Sequence, residues 1–211
     1  MARRGDSPAG ARGEAGVTLA ALRALAAQRG GVDHPGLFAD ADNPWTDQLA
    51  RLLRAEIAAR RVEKPQPRYR HSVAARWRAA ALLEDGPVLA DHDPVYDIAW
   101  RVYAADLARL VSQPVIAECP WRGGWAQCAA ACDRLAQGRA DLKLLCAMAD
   151  PSRPVGAMTL AQACAYRIAA FAPRGEAVLL AFYGGAQGWR GQAGFEVFAY
   201  TTGRRALKRV S

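Results

Sequence analysis

Residues 114–121 read PVIAECPW, and the reading of the fold turns on this stretch. Val115, Ile116 and Ala117 form a short apolar run with two β-branched side chains, the composition of a buried strand. Glu118 then sets a carboxylate at the end of that run, ahead of Cys119 and Pro120. Burying an unpaired charge is costly, so its position raises the question of a metal site. Downstream, WAQCAAACDRLAQGRA has helical spacing, with Gly123 and Gly124 before it and Gly138 near its end. DLKLLCAMA follows as a second apolar strand. A strand–helix–strand crossover of this length implies parallel pairing of the two strands.

The same rhythm extends in both directions. TLAQACAYRIAAFAPRG predicts a helix capped by Thr159 and stopped by Pro173 and Gly175. AVLLAFYGG and FEVFAYTTG predict an antiparallel pair of strands joined by the glycine-rich loop AQGWRGQAG. Upstream, GPVLADHDPVYDIAWRVYA predicts one or two strands, and ADLARLVSQ a short helix or turn. SVAARWRAAALLEDG reads as a helix ended by Asp85-Gly86, after the proline-broken connector EKPQPRYR. DQLARLLRAEIAARRV reads as a helix with Leu49, Leu52, Leu53 and Ile57 along one stripe, capped by Asn43 or Thr46. Residues 1–16 predict a basic disordered tail, and 19–28 a short helix capped by Thr18 and ended by Gly30-Gly31. The expected fold class is therefore α/β (α+β), a mixed β-sheet flanked by helices. Residues 1–35 form an N-terminal extension, and residues 36–211 a single domain with a basic C-terminal tail.

Bulk properties narrow the function classes. The chain has 211 residues, a hydrophobic fraction of 52% that supports a sizeable core, and a net charge of +8. An arginine-rich basic balance favours a polyanionic partner, nucleic acid first. Arginines on solvated helix faces are the alternative source of the same charge. No apolar run approaches the roughly 20 residues that span a bilayer. The apolar stretch Val17 to Ala27 is interrupted by Arg23 and preceded by Glu14, so no export signal is expected and the setting reads as cytoplasmic. Cys119, Cys128, Cys132, Cys146 and Cys164 contain no CxxC pair and read as small buried hydrophobes. No GxSxG or HExxH motif occurs, and the glycines of YGGAQGWRGQAG lack the order of a phosphate loop.

Two strand acids carry the chemistry. Asp97 lies in VYDIAW and Glu118 in VIAEC, on strands close enough in sequence to be neighbours. Adjacent buried carboxylates repel unless a cation or a proton sits between them. Magnesium, or manganese, suits one or two carboxylates plus waters and substrate phosphates. The plain alternative places Asp97 and Arg101 on a solvated strand face.

Strand acid, short connection, strand acid, helix and strand is an arrangement that resembles the PD-(D/E)XK nuclease superfamily, over roughly residues 91–148. The resemblance implies a restriction-endonuclease-like core, Mg2+-dependent cleavage of DNA phosphodiesters, and Asp97 and Glu118 as metal ligands. Family members also carry a lysine two residues after the second acid, where this chain has Pro120. Arg134 on the next helix, or Lys143 on the next strand, is the substitute basic residue, although Lys143 also reads as an edge lysine. Glu56 is a further carboxylate candidate, or the partner of Arg60 on a solvated face. His92 reads as a loop residue or a ligand. Arg76, Arg78, Arg190, Arg204 and Arg205 are the candidate nucleic-acid contacts, with aromatic neighbours suited to stacking. A non-catalytic relative that binds nucleic acid, a protein partner or a second copy of the chain is the competing reading.

Overall fold

The computed structural model describes residues 8–29, 44–63, 69–75, 81–82, 95–105, 109–121, 124–148, 156–184, 194–204 and 206–210. In chain order its elements are α1 (Pro8–Arg29), α2 (Pro44–Glu63), β1 (Tyr69–Ala75), β2 (Ala81–Leu82), β3 (Ile98–Ala104) and β4 (Leu110–Glu118). Then come α3 (Trp125–Gln137), β5 (Leu142–Met148), α4 (Ala157–Phe171), β6 (Ala177–Tyr183), β7 (Phe195–Thr201) and β8 (Lys208–Arg209). All strands join one sheet in the order β2-β1-β3-β4-β5-β6-β7-β8.

The fold is mixed α/β, as the sequence predicts. β4, β5 and β6 run parallel, each joined to the next by one helix. β1, β3 and β4 form antiparallel pairs on one side, and β6 and β7 an antiparallel pair on the other. Strand periodicity divides the sheet into two apolar faces. Val115, Ala117, Leu142, Leu144, Leu179 and Ala181 pack beneath α1 and α2. Ile116, Leu145, Ala147, Val178, Leu180 and Phe182 pack beneath α3 and α4. Helices thus cover both faces, which is why the central strands are apolar throughout rather than alternating. Among the described residues no helix is long and apolar enough to cross a membrane.

Several local expectations give way to tertiary pairing. SVAARWRAAALLEDG is not helical where it is described: Ser72–Ala75 belong to β1, and Ala81 and Leu82 to β2. Alanine favours a helix locally, but Val73 and its neighbours pair with Trp100 and the rest of β3. In ADLARLVSQ the expected short helix or turn ends early, because Leu110–Gln113 open β4. A bond from the Ala104 N–H to the Arg109 carbonyl (2.9 Å) closes that hairpin.

The first helix starts at Pro8, not near residue 19, so much of the expected tail is helical. Val17, Leu22 and Leu25 of α1 are buried in the core. Thr46 does not cap α2; it is buried and accepts the Trp121 indole N–H at 2.8 Å. Gly156, rather than Thr159, caps α4. All five cysteines are buried with free thiols.

Trp121 links the end of β4 to α2. Its ring lies 5.4 Å from that of Trp45, and Trp45 lies 4.8 Å from Tyr183, both edge-on. Gly138, at the end of α3, is held to a glycine by crowding. A Cβ there would fall on the Tyr96 hydroxyl and Ile116 Cδ1, well inside van der Waals contact. Gly124, at the other end of the same helix, has nothing within 4 Å of that position. Gly138→Ala is expected to destabilise the protein by about 1–3 kcal/mol. Gly124→Ala is expected to be near neutral, and urea denaturation of the two variants side by side checks both.

Candidate functional site

The site begins with the pairing of β3 and β4. Ile98 stands opposite Ala117, and continuing that antiparallel register by one step sets Asp97 opposite Glu118. Asp97 precedes the first residue of β3, and Glu118 is the last of β4, so both acids lie at the same end of the hairpin. Both are buried, at 3% and 0% exposure. The two strand acids singled out in the sequence therefore lie at the same end of neighbouring strands.

Each carboxylate is engaged by protein donors. Asp97 Oδ2 accepts the backbone N–H of Cys119 at 2.7 Å, which ties the start of β3 to the chain leaving β4. Glu118 Oε2 meets Arg134 Nη2 at 2.5 Å. Arg134 is delivered from the face of α3 that lies over the sheet, and its side chain is still 38% exposed. The guanidinium thus spans from a buried carboxylate to solvent, a geometry that suits its weak hydration and planar fork. The Cys119 thiol lies close to both acids. Burial pushes its pKa well up, and Cys146, Asp97 and Glu118 add to the rise, so it remains a protonated thiol.

Lys143 shares the α3/α4 face with Glu118 but has a different role. It is fully buried in the central strand β5, not at an edge or on the surface. It forms an ion pair with Glu176 and donates to the Ala136 carbonyl at 3.4 Å. Glu56 stands on α2, across the sheet from Glu118, so it joins neither acid. Arg204 is exposed beyond β7. Arg76, Arg78, Arg190, Arg205 and His92 lie outside the described residues.

The sequence also leaves the partners of these charges unread. Glu176 precedes β6 and Arg167 sits on α4, each more than thirty residues from the charge it meets. Arg167 grips Asp133 with two bonds of 2.7 and 2.6 Å, fastening α4 to α3. This fork holds the Asp133 carboxyl below its ordinary value of 3.8. No spacing rule signals contacts between residues this far apart in the chain.

The resemblance implies Mg2+ at this pair. A magnesium site keeps several waters around one or two carboxylates. Here Glu118 is fully enclosed with Arg134 against it, and Asp97 is committed to a backbone donor. Among the described residues no group of three or more His, Cys, Asp or Glu side chains is placed to hold a metal. As arranged, the pair does not fit a hydrated divalent ion. Comparison with family models, curated proteins and solved structures returned no match for this chain.

Two outcomes follow from the ion pairs. Arg134→Met leaves Glu118 buried without its cation and is expected to cost about 3 kcal/mol, the low end for breaking a buried pair because Arg134 is half-exposed. Adding Glu118→Gln is expected to recover much of that loss in denaturant titrations. Asp133 carries the pH test. A depressed folded pKa stabilises the protein above 3.8 and loses that stabilisation as pH falls through the depressed value. Asp133→Asn is therefore expected to be less stable than the parent at neutral pH. The gap between the two denaturation midpoints is expected to shrink as pH falls below 3.8.

Proposed function

We propose that this chain is a nuclease-like α/β domain that binds nucleic acid and does not cleave it. The observation that carries the reading is the Glu118–Arg134 pair, which satisfies the second strand acid with a guanidinium. Pro120 stands where the resemblance calls for a lysine, and Lys143 is held by Glu176. The run of β3, β4, α3 and β5 supports the fold side of the proposal, since it repeats the order strand, strand, helix, strand with an acid at each of the first two.

Electrostatics supports the partner. A net charge of +8 gives nucleic acid a favourable long-range field. Arg174, Arg204, Lys208 and Arg209 are exposed around the end of the sheet formed by β7 and β8, where Arg174 lies against Gly203. Arg134 retains an exposed portion that can meet a phosphate while holding Glu118. DNA is the first partner to test, and a cytoplasmic setting belongs to the same proposal.

One observation favours a second reading. Asp97 and Glu118 lie at the same end of the β3–β4 pair. On that reading these two acids would hold Mg2+ or Mn2+ if Arg134 moved aside, and the ion would supply an activated water and charge stabilisation at the scissile phosphate.

Both readings meet in one experiment. The purified chain is titrated into fluorescent single- and double-stranded DNA across a salt series, then incubated with supercoiled DNA in Mg2+ or Mn2+. The expected result is binding whose log affinity falls linearly with log salt, with no cleavage. Arg204→Ala with Lys208→Ala is expected to flatten the slope by roughly one to two counterions. Absence of binding at low salt defeats the proposal. Cleavage that disappears in Asp97→Asn transfers support to the metal-dependent reading.

A further inference from the structure

The acids occupy one end of the β3–β4 hairpin; an open cleft of about 330 Å3 occupies the other, on the opposite face. Its walls come from α1, α2, β1, β3, the start of β4 and Asp141, which precedes β5. Tyr69, His71 and Trp100 form an aromatic side, and Glu14 and Asp141 an acidic one. The aromatic side is fixed: Trp100 Nε1 donates to His71 Nδ1 at 3.1 Å, with ring centroids 5.8 Å apart. His71 therefore accepts at Nδ1 and is held as the neutral tautomer.

The acidic side carries an unmet demand. Glu14 Oε2 is shut away from solvent and makes no hydrogen bond among the described residues. Burial pushes the Glu14 carboxyl up and Asp141 adds to the rise, against a backbone hydrogen bond and Arg60, which pull it down. Burial pushes Asp141 up as well. Arg60 also lines the cleft and acts on Glu14, and its guanidinium is partly used by the helix backbone. Its Nη1 donates to the Gly13 carbonyl at 2.9 Å, and Nη2 lies 2.8 Å from where a Cβ on Gly16 would stand. The glycines in α1 thus admit the guanidinium against the helix, where it acts on Glu14.

We propose that this cleft is a binding site for a small organic cation, an amine or amidine on an aromatic or short aliphatic body. A cation between Glu14 and Asp141 removes their mutual repulsion and offsets the charge of the Glu14 carboxylate. The faces of Tyr69 and Trp100 accept its apolar body and add cation–π attraction. An anion meets two carboxylates and is rejected. A neutral molecule of the same shape gains only the apolar contact. The volume falls at the small end of ligand sites, about 300–1,000 Å3. The proposal stands apart from the nucleic-acid reading, because no residue of the cleft belongs to the Glu118 site.

The test uses the full chain and three probes of one shape, phenethylamine, phenethyl alcohol and phenylacetate, with benzamidine as a second cation. Thermal shift and calorimetry at neutral pH are expected to show the two cations binding at millimolar concentration or below, the alcohol weakly and the acid not at all. Glu14→Gln and Asp141→Asn are each expected to weaken the cations roughly tenfold. Circular dichroism confirms that both variants fold. Neutralising either acid removes a charge that burial already disfavours, so their melting temperatures are expected to hold or rise. The proposal is overturned if neither cation binds, if the alcohol or acid binds as tightly, or if both variants keep the parent's affinity.

Discussion

A carboxylate that folds to full burial must bring its compensation with it, and Glu118 sets that condition for the centre of this protein. It ends the strand that joins the antiparallel and parallel halves of the sheet. Arg134 meets it from α3, so the ion pair also fixes how that crossover helix lies on the sheet. A guanidinium is suited to this position, since it can pair with a buried oxygen through one nitrogen and stay hydrated through the rest. Removing the arginine leaves the charge enclosed; replacing both partners leaves only an apolar contact.

The same economy recurs along the α3/α4 face. Lys143 is enclosed with Glu176, and Asp133 is forked by Arg167. Each pair joins an element of the βαβαβ run to another, so charge pairing and chain crossover are coupled there. The α1/α2 face relies instead on rings. Trp45, Trp121, Tyr183 and Phe195 interlock across it, with the Trp121 indole bonded to Thr46. Aromatic edges and faces give that layer much of its specificity.

Charge is handled differently at the two ends of the same hairpin. At one end, Asp97 accepts from Cys119 and Glu118 pairs with Arg134. At the other end, Glu14 and Asp141 are not matched charge for charge, and an aromatic wall stands beside them. Carboxylates paired with a cation at close range and carboxylates facing another acid carry different implications. The first pair stabilises the fold, whereas the second leaves free energy for a ligand to recover.

Composition and periodicity were enough to determine the class of fold, the parallel run of β4, β5 and β6 with its crossover helices, and the antiparallel close of β6 and β7. Those features rest on local signals: apolar strands, helical stripes and glycine stops. The position of Asp97 and Glu118 on neighbouring strands was also legible, because an acid at the end of an apolar strand breaks a pattern that has a clear physical reason. Tertiary structure decided the rest. Alanine-rich residues 72–75 became strand because β3 offered an unpaired edge, and residues 8–18 became helix because α1 lies on the core. It also chose Arg134, Glu176 and Arg167 as counter-ions and assembled the cleft from α1, α2, β1, β3, β4 and the residue before β5. Coulombic partners and cavity walls depend on distance in space, and a linear chain specifies that distance only once the sheet has paired.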